Sequence, residues 1–114
     1  MDSLPHLNID HNPLYEKGNN KVVYCVECRC FHVYYETISI DLSKSGIEAL
    51  VRTLQDYHRK YKRWVRPDKR CVNVETPHRG IRMNLSIHDL RILASMLIEA
   101  NAELEKRVWR QNLN

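Results

Sequence analysis

Shifted by 43 positions, the sequence falls onto itself: I-S-I-D-L-S at 38–43 lies over I-R-M-N-L-S at 81–86. In the same register Ile47, Leu50, Val51 and Leu54 lie over Leu90, Leu93, Ala94 and Leu97, and Cys28 over Cys71. A strand pattern, a helix start and an apolar helix face coincide together, which chance matching of apolar positions does not easily produce. In the first copy Phe31, Val33 and Tyr35 alternate at period two. The alternation then changes phase to Ile38, Ile40 and Leu42, which places a tight turn near Glu36. Ser43 or Ser45 can cap the helix that follows, and Ser45-Gly-Ile-Glu48 has the capping-box form. In the second copy Cys71–Thr76 is strand-like, Pro77–Gly80 is a turn, and Ser86-Ile-His-Asp89 is a second capping box. Each copy is a ββα unit with one apolar sheet face and one apolar helix stripe, and neither can bury these alone.

The expected fold is therefore α+β. Two ββα repeats, 21–66 and 70–110, form a four-stranded antiparallel sheet with two helices on one face. Residues 21–114 make a single α+β domain, which suits a chain of 114 residues. Residues 1–20, with Pro5, Pro13, Gly18 and Asn19-Asn20, read as an extended N-terminal arm. The start of the chain lacks a basic segment followed by an apolar stretch, and no apolar run reaches the ~18 residues of a membrane span. The expectation is a cytoplasmic protein with reduced thiols and no membrane contact.

The segment C-V-E-C-R-C-F-H-V-Y-Y-E-T-I-S-I-D-L-S, with the apolar C-terminal helix, resembles a family of small bacterial domains of unknown function. The resemblance covers roughly residues 20–100. It implies a compact α+β domain and brings no activity and no site residue.

Three of the four cysteines fall in Tyr24-Cys-Val-Glu-Cys-Arg-Cys30. Cys25-x₂-Cys28 has the spacing at which one tight turn offers two thiolates to a tetrahedral Zn²⁺. A second pair is needed. Cys30 and Cys71 are the remaining cysteines, with His6, His11, His32 and His78 as alternatives. The repeat makes Cys71 the counterpart of Cys28, so a structural zinc site on Cys25, Cys28, Cys30 and Cys71 is one reading. Cys28 and Cys30 on one strand would chelate poorly unless the strand breaks there. The competing readings are buried thiols acting as small apolar groups, and a redox thiol or Cys25–Cys28 disulfide.

Charge is concentrated in one place. Residues 58–70 carry seven Lys/Arg against one Asp in a chain of formal net charge +4. Arg59, Lys60, Lys62, Arg63, Arg66, Lys69 and Arg70 neighbour Trp64, a combination that suits a nucleic acid or another polyanion. Basic residues also complement the end of a helix, and Tyr57 and Tyr61 fall on the helix's core face, away from such a patch. In the last helix Leu90, Ala94, Leu97, Asn101, Leu104 and Val108 step as a heptad seam with a polar Asn inside it, which would suit a homodimer.

No nucleotide-loop, zinc-protease or serine-hydrolase motif is present, and three glycines are too few for a glycine-rich phosphate loop. A cysteine nucleophile such as Cys30 with His78 or His32 is the weakest reading, because no oxyanion donor is identified. The sequence thus favours a small interaction or structural module, zinc-stabilised and self-associating, over a polyanion-binding module and over an enzyme.

Overall fold

Three residues in left-handed backbone conformation set the first half of the chain: Gly18 at φ 61°, Arg29 at 57° and Glu36 at 53°. Each sits in a tight reversal between strands. Glycine adopts this conformation at no steric cost, whereas Arg29 and Glu36 hold it against their side chains. In a computed structural model, which describes residues 12–113, the reversals fold four strands into a meander. They are β1 (Tyr15–Lys17), β2 (Asn20–Cys25), β3 (Cys30–Tyr35) and β4 (Ile38–Leu42). All neighbours are antiparallel, in the order β1-β2-β3-β4. The expected turn near Glu36 joins β3 to β4, with Tyr35 opposite Ile38, and the Asn20 side chain accepts the Glu36 N–H at 3.0 Å.

Helix α1 (Lys44–Tyr61) follows β4 directly. Its cap is Ser43, whose hydroxyl accepts the Gly46 N–H at 3.0 Å, so the Ser45–Glu48 box is not used. The chain then forms β5 (Val72–Glu75) and β6 (Arg82–Leu85), a separate two-stranded antiparallel sheet, before α2 (Ile87–Leu113). Here the expected box forms: Asp89 N–H donates to Ser86 Oγ at 3.0 Å, and Ser86 N–H donates to Asp89 Oδ2 at 2.9 Å.

The expected sheet requires a correction. Its four strands do not come two from each half; all four precede α1, and β5–β6 stand apart. The reason is that β3 finds its second neighbour locally in β2, through a turn holding Val26–Arg29. Tyr15–Lys17, within the stretch expected to be an arm, become the edge strand β1. Residues 1–11 lie outside the described residues.

Side chains from both sheets and both helices share one core. Val22, Phe31, Val33, Ile40 and Leu42 meet Ile47, Leu50 and Leu54 of α1 and Leu90, Leu93, Met96 and Leu97 of α2, while Val72, Val74, Met83 and Leu85 close it from the second sheet. The helices run antiparallel: Lys44 at the start of α1 donates to Asn101 and Glu105 late in α2. This uses the heptad seam inside the chain. Leu90, Ala94, Leu97 and Leu104 are buried, and Asn101 accepts from Lys44, so that seam is not free for a second copy. No helix of the described residues is long and apolar enough to cross a membrane.

Candidate functional site

Opposed residues of an antiparallel pair point to the same face, and β2, β3 and β4 use this to line up polar groups on the sheet side away from the helices. Cys25 faces Cys30, Val23 faces His32, and His32 faces Asp41. Cys28 reaches the same place from the turn. It is not on a strand, because the strand breaks at 26–29 and Arg29 turns back with φ 57°. That break answers the geometric objection to adjacent cysteines chelating together. The Cys28 N–H donates to Cys25 Sγ at 3.2 Å, a contact that stabilises a thiolate.

The ligand atoms of Cys25, Cys28 and His32 all lie within 4.8 Å of one another, and this cluster could hold a metal ion. Two thiolates on one tetrahedral zinc, each ~2.3 Å away, sit roughly 3.8 Å apart, so the spacing is compatible. His32 Nδ1 is 2.6 Å from Asp41 Oδ1, which leaves Nε2 for the thiol side. Histidine ligands commonly have such a carboxylate behind them, fixing the tautomer and ring orientation.

The electrostatics divide the thiols. Hydrogen bonds from the Cys28 thiol and backbone hold the Cys25 thiol below its usual range. The Cys28 thiol is pushed up to about 11, mainly because it donates to Cys25, with burial adding to this. Burial raises the Cys30 thiol, partly offset by a hydrogen bond with Cys28. His32 is raised by Asp41 and then by Cys25. Without a metal, these hydrogen bonds favour the ionised form of Cys25 and the protonated form of His32.

Of the cysteine set expected from sequence, Cys25, Cys28 and Cys30 come together and Cys71 does not. Cys71 lies beside Tyr57 and Tyr61 in the last turns of α1, whereas Cys30 precedes Phe31, which faces Leu42 just before that helix begins. The length of α1 separates them, roughly 20 Å at 1.5 Å per residue. The register equivalence of Cys28 and Cys71 fails as a guide because the two halves do not share a sheet. All four thiols are free. His78 is also elsewhere, donating through Nε2 to the main-chain carbonyl of Asp41. The imagined Cys30–His78 nucleophile pair therefore does not form, and the thiol that His32 meets is that of Cys25. His6 and His11 lie outside the described residues.

Asp41 was missed in the sequence. Its signal was the reversal at Glu36, which fixes the β3–β4 register and so sets Asp41 opposite His32.

A cavity of about 650 Å³ separates β4 from β6 and is lined by Ser39, Asp41, Arg70, His78, Arg82 and Asn84 among others. Both strands are sheet edges. The Asp41 carbonyl points outward to His78, so by alternation the peptide groups of Ser39 do too. Ile81 C=O points inward, accepting from Thr76 N–H, so those of Arg82 and Asn84 point outward from β6. Two rows of backbone donors and acceptors thus face one cleft.

The basic residues 59–70 are all exposed. Arg59 pairs with Asp56, Arg66 with Asp68, and Arg70 with Asp89. Lys60 lies 5.2 Å from the centre of the Tyr61 ring. Lys62, Arg63 and Lys69 have no carboxylate partner among the described residues, and Trp64 between them is 82% exposed. Tyr57 and Tyr61 pack against the core, as their helix face implied, without being fully covered by it. They are half-buried, with rings stacked at 5.9 Å and 13°, and they line a surface pocket of about 290 Å³ with Val65, Cys71, Val72 and Asn73. No family model, curated protein or solved structure matches the chain.

Proposed function

We propose that this chain is a small metal-stabilised interaction module, with one structural zinc at the β2–β3 turn. The observation that carries the reading is the convergence of Cys25, Cys28 and His32 on one point, with Asp41 behind the histidine. Cys30, opposite Cys25 and hydrogen-bonded to Cys28, supplies the fourth ligand by rotating its thiol. Four protein ligands leave no open position, which is the mark of a structural rather than a catalytic zinc. The reading takes the chain to be cytoplasmic, where thiols stay reduced.

Native mass spectrometry with and without chelator tests it. The expected result is one zinc per chain, lost on chelation, with the subunit number read from the same spectrum. A metal-free mass after refolding in excess zinc would end the proposal. Asp41→Asn should weaken zinc affinity ~10–100-fold while leaving stoichiometry unchanged, as for other carboxylates that orient a ligating histidine.

The interaction face in this reading is the β4–β6 cleft, where a partner's extended segment would add as a strand. Its backbone groups face the cleft from both sides, and edge strands are ready templates for pairing. In the isolated chain the Ser39 and Asn84 amides are expected to exchange rapidly with solvent. Slow exchange there would mean the edges are already satisfied and would remove this face.

A second reading, a polyanion-binding module, is supported by Trp64, a large aromatic left 82% exposed among Lys62, Arg63 and Lys69.

A further inference from the structure

We propose that the pocket beside this basic loop binds one unpaired base of a single-stranded nucleic acid, while Trp64 stacks on a neighbouring base. The inference rests on the polyanion reading and adds a base-recognition site to it. A polyanion surface needs only charge. Here the charge borders a concave aromatic site, and two independent features point to a base rather than to phosphate alone.

The first is the pocket itself. Tyr57 and Tyr61 give it aromatic walls, and Val65, Cys71, Val72 and Asn73 complete a lining of mixed polarity. Its volume of about 290 Å³ is just below the ~300–1,000 Å³ range of pockets for larger ligands, which suits a single ring system. The second is Asn73. This exposed residue of β5 borders the pocket, and its side-chain amide has no hydrogen-bond partner among the described residues. An amide offers a donor and an acceptor side by side, the pattern that reads the edge of a base.

The surroundings fit a strand threading past. The Trp64 main-chain N–H donates to the Tyr61 carbonyl at 2.9 Å, so the residue carrying the exposed indole follows directly after the pocket's aromatic wall. Aromatic faces accept any base by stacking, and three cations with no carboxylate partner among the described residues can neutralise phosphates on either side. Duplex fits poorly, because paired bases cannot enter a pocket without being extruded.

The test uses the full chain in a Trp109→Phe background, so that indole fluorescence reports Trp64. Fluorescence titrations and anisotropy would compare 8-mer single-stranded RNA, the same sequence as DNA, an abasic oligonucleotide of equal length, and a duplex. The expected result is quenching of Trp64 by both single strands, with weaker binding of duplex and abasic strands. Log affinity should fall against log salt with a slope of about −2, as three phosphate contacts on a single strand give. Trp64→Ala should weaken binding roughly 5- to 150-fold, the loss of one stacked base. Asn73→Ala should weaken the base-containing strands and leave the abasic strand unchanged. Either ranking of RNA and DNA supports the pocket, and a preference for RNA above ~10-fold assigns a contact to the 2′-hydroxyl.

Equal binding of abasic and base-containing strands, indifferent to Asn73→Ala, would overturn the base site and leave the polyanion surface standing. Failure of every oligonucleotide and of heparin to bind at low salt would overturn both. Both substituted side chains are exposed, so loss of folding is not the expected cause of either effect; circular dichroism melting of each variant checks this.

Discussion

Alanine at Leu50 or at Leu93 is expected to destabilise the protein by ~2–5 kcal/mol, the range for buried leucines whose site cannot fully collapse. Leu50 is 1% exposed on α1 and Leu93 is 2% exposed on α2. Both belong to the single cluster that joins the helices to both sheets, so each truncation opens a void at a junction rather than at a rim. Urea unfolding checks it, with a lower midpoint at unchanged slope as the signature of lost stability. A change below ~0.5 kcal/mol at both positions would refute the shared core.

Asp89→Ala is expected to cost roughly 2–4 kcal/mol through a different mechanism: it orphans donors rather than opening a void. One carboxylate, 8% exposed, accepts from the Tyr35 hydroxyl, from Arg70 Nε at 3.0 Å and from Ser86 N–H at 2.9 Å. Removing it leaves the Tyr35 hydroxyl and a helix N-terminal amide unsatisfied in the interior. Arg70 is half exposed and can recover water, which keeps the loss below that of a fully buried pair.

The same carboxylate gives a pH dependence. Burial acts to raise its pKa, but the Ser86 amide, the Tyr35 hydroxyl and Arg70 together outweigh burial and hold it below the usual carboxylate range. A carboxyl lowered in the folded state contributes fully above its unfolded value, about 3.9. That contribution is lost as pH falls through the lower folded value. Asp89→Asn should therefore flatten the stability profile below about pH 4 relative to the parent. Melting temperatures across pH 2–6 check this, and parallel profiles would sink the assignment.

What could be read from the sequence was local. The Ser86–Asp89 box spans three residues and forms as expected, because both hydrogen bonds are made within one turn of chain. The reversal at Glu36 was legible because the apolar phase changes there. Strand partnership was not legible. Nothing in the alternation of Val72, Val74, Met83 and Leu85 says which edge they join, and β1 is three residues with no pattern of its own. The site divided the same way. Cys25 and Cys28 were legible from spacing, and His32 was one of several possible histidines. Choosing it needed the β2–β3 register, which a four-residue turn set. Cys71 was misassigned because sequence equivalence was taken as spatial equivalence. The aromatic pocket was missed because Tyr57 and Tyr61 do pack against the core, and a core stripe in the sequence does not say which of its residues stay half-buried at a surface pocket.

The meander has a kinetic consequence. Its hairpins close over loops of two to four residues, whereas the Tyr35–Asp89 bond spans 54 residues and the Arg107 bonds to the Asn12 and Pro13 carbonyls span 95 and 94. Short loops cost little closure entropy, and contacts between distant residues cost more. The first four strands can therefore assemble as each is made, while α2 must search for them. Arg107, late in that helix, clasps the chain just before β1, and its contacts belong to the last stage of assembly rather than the first.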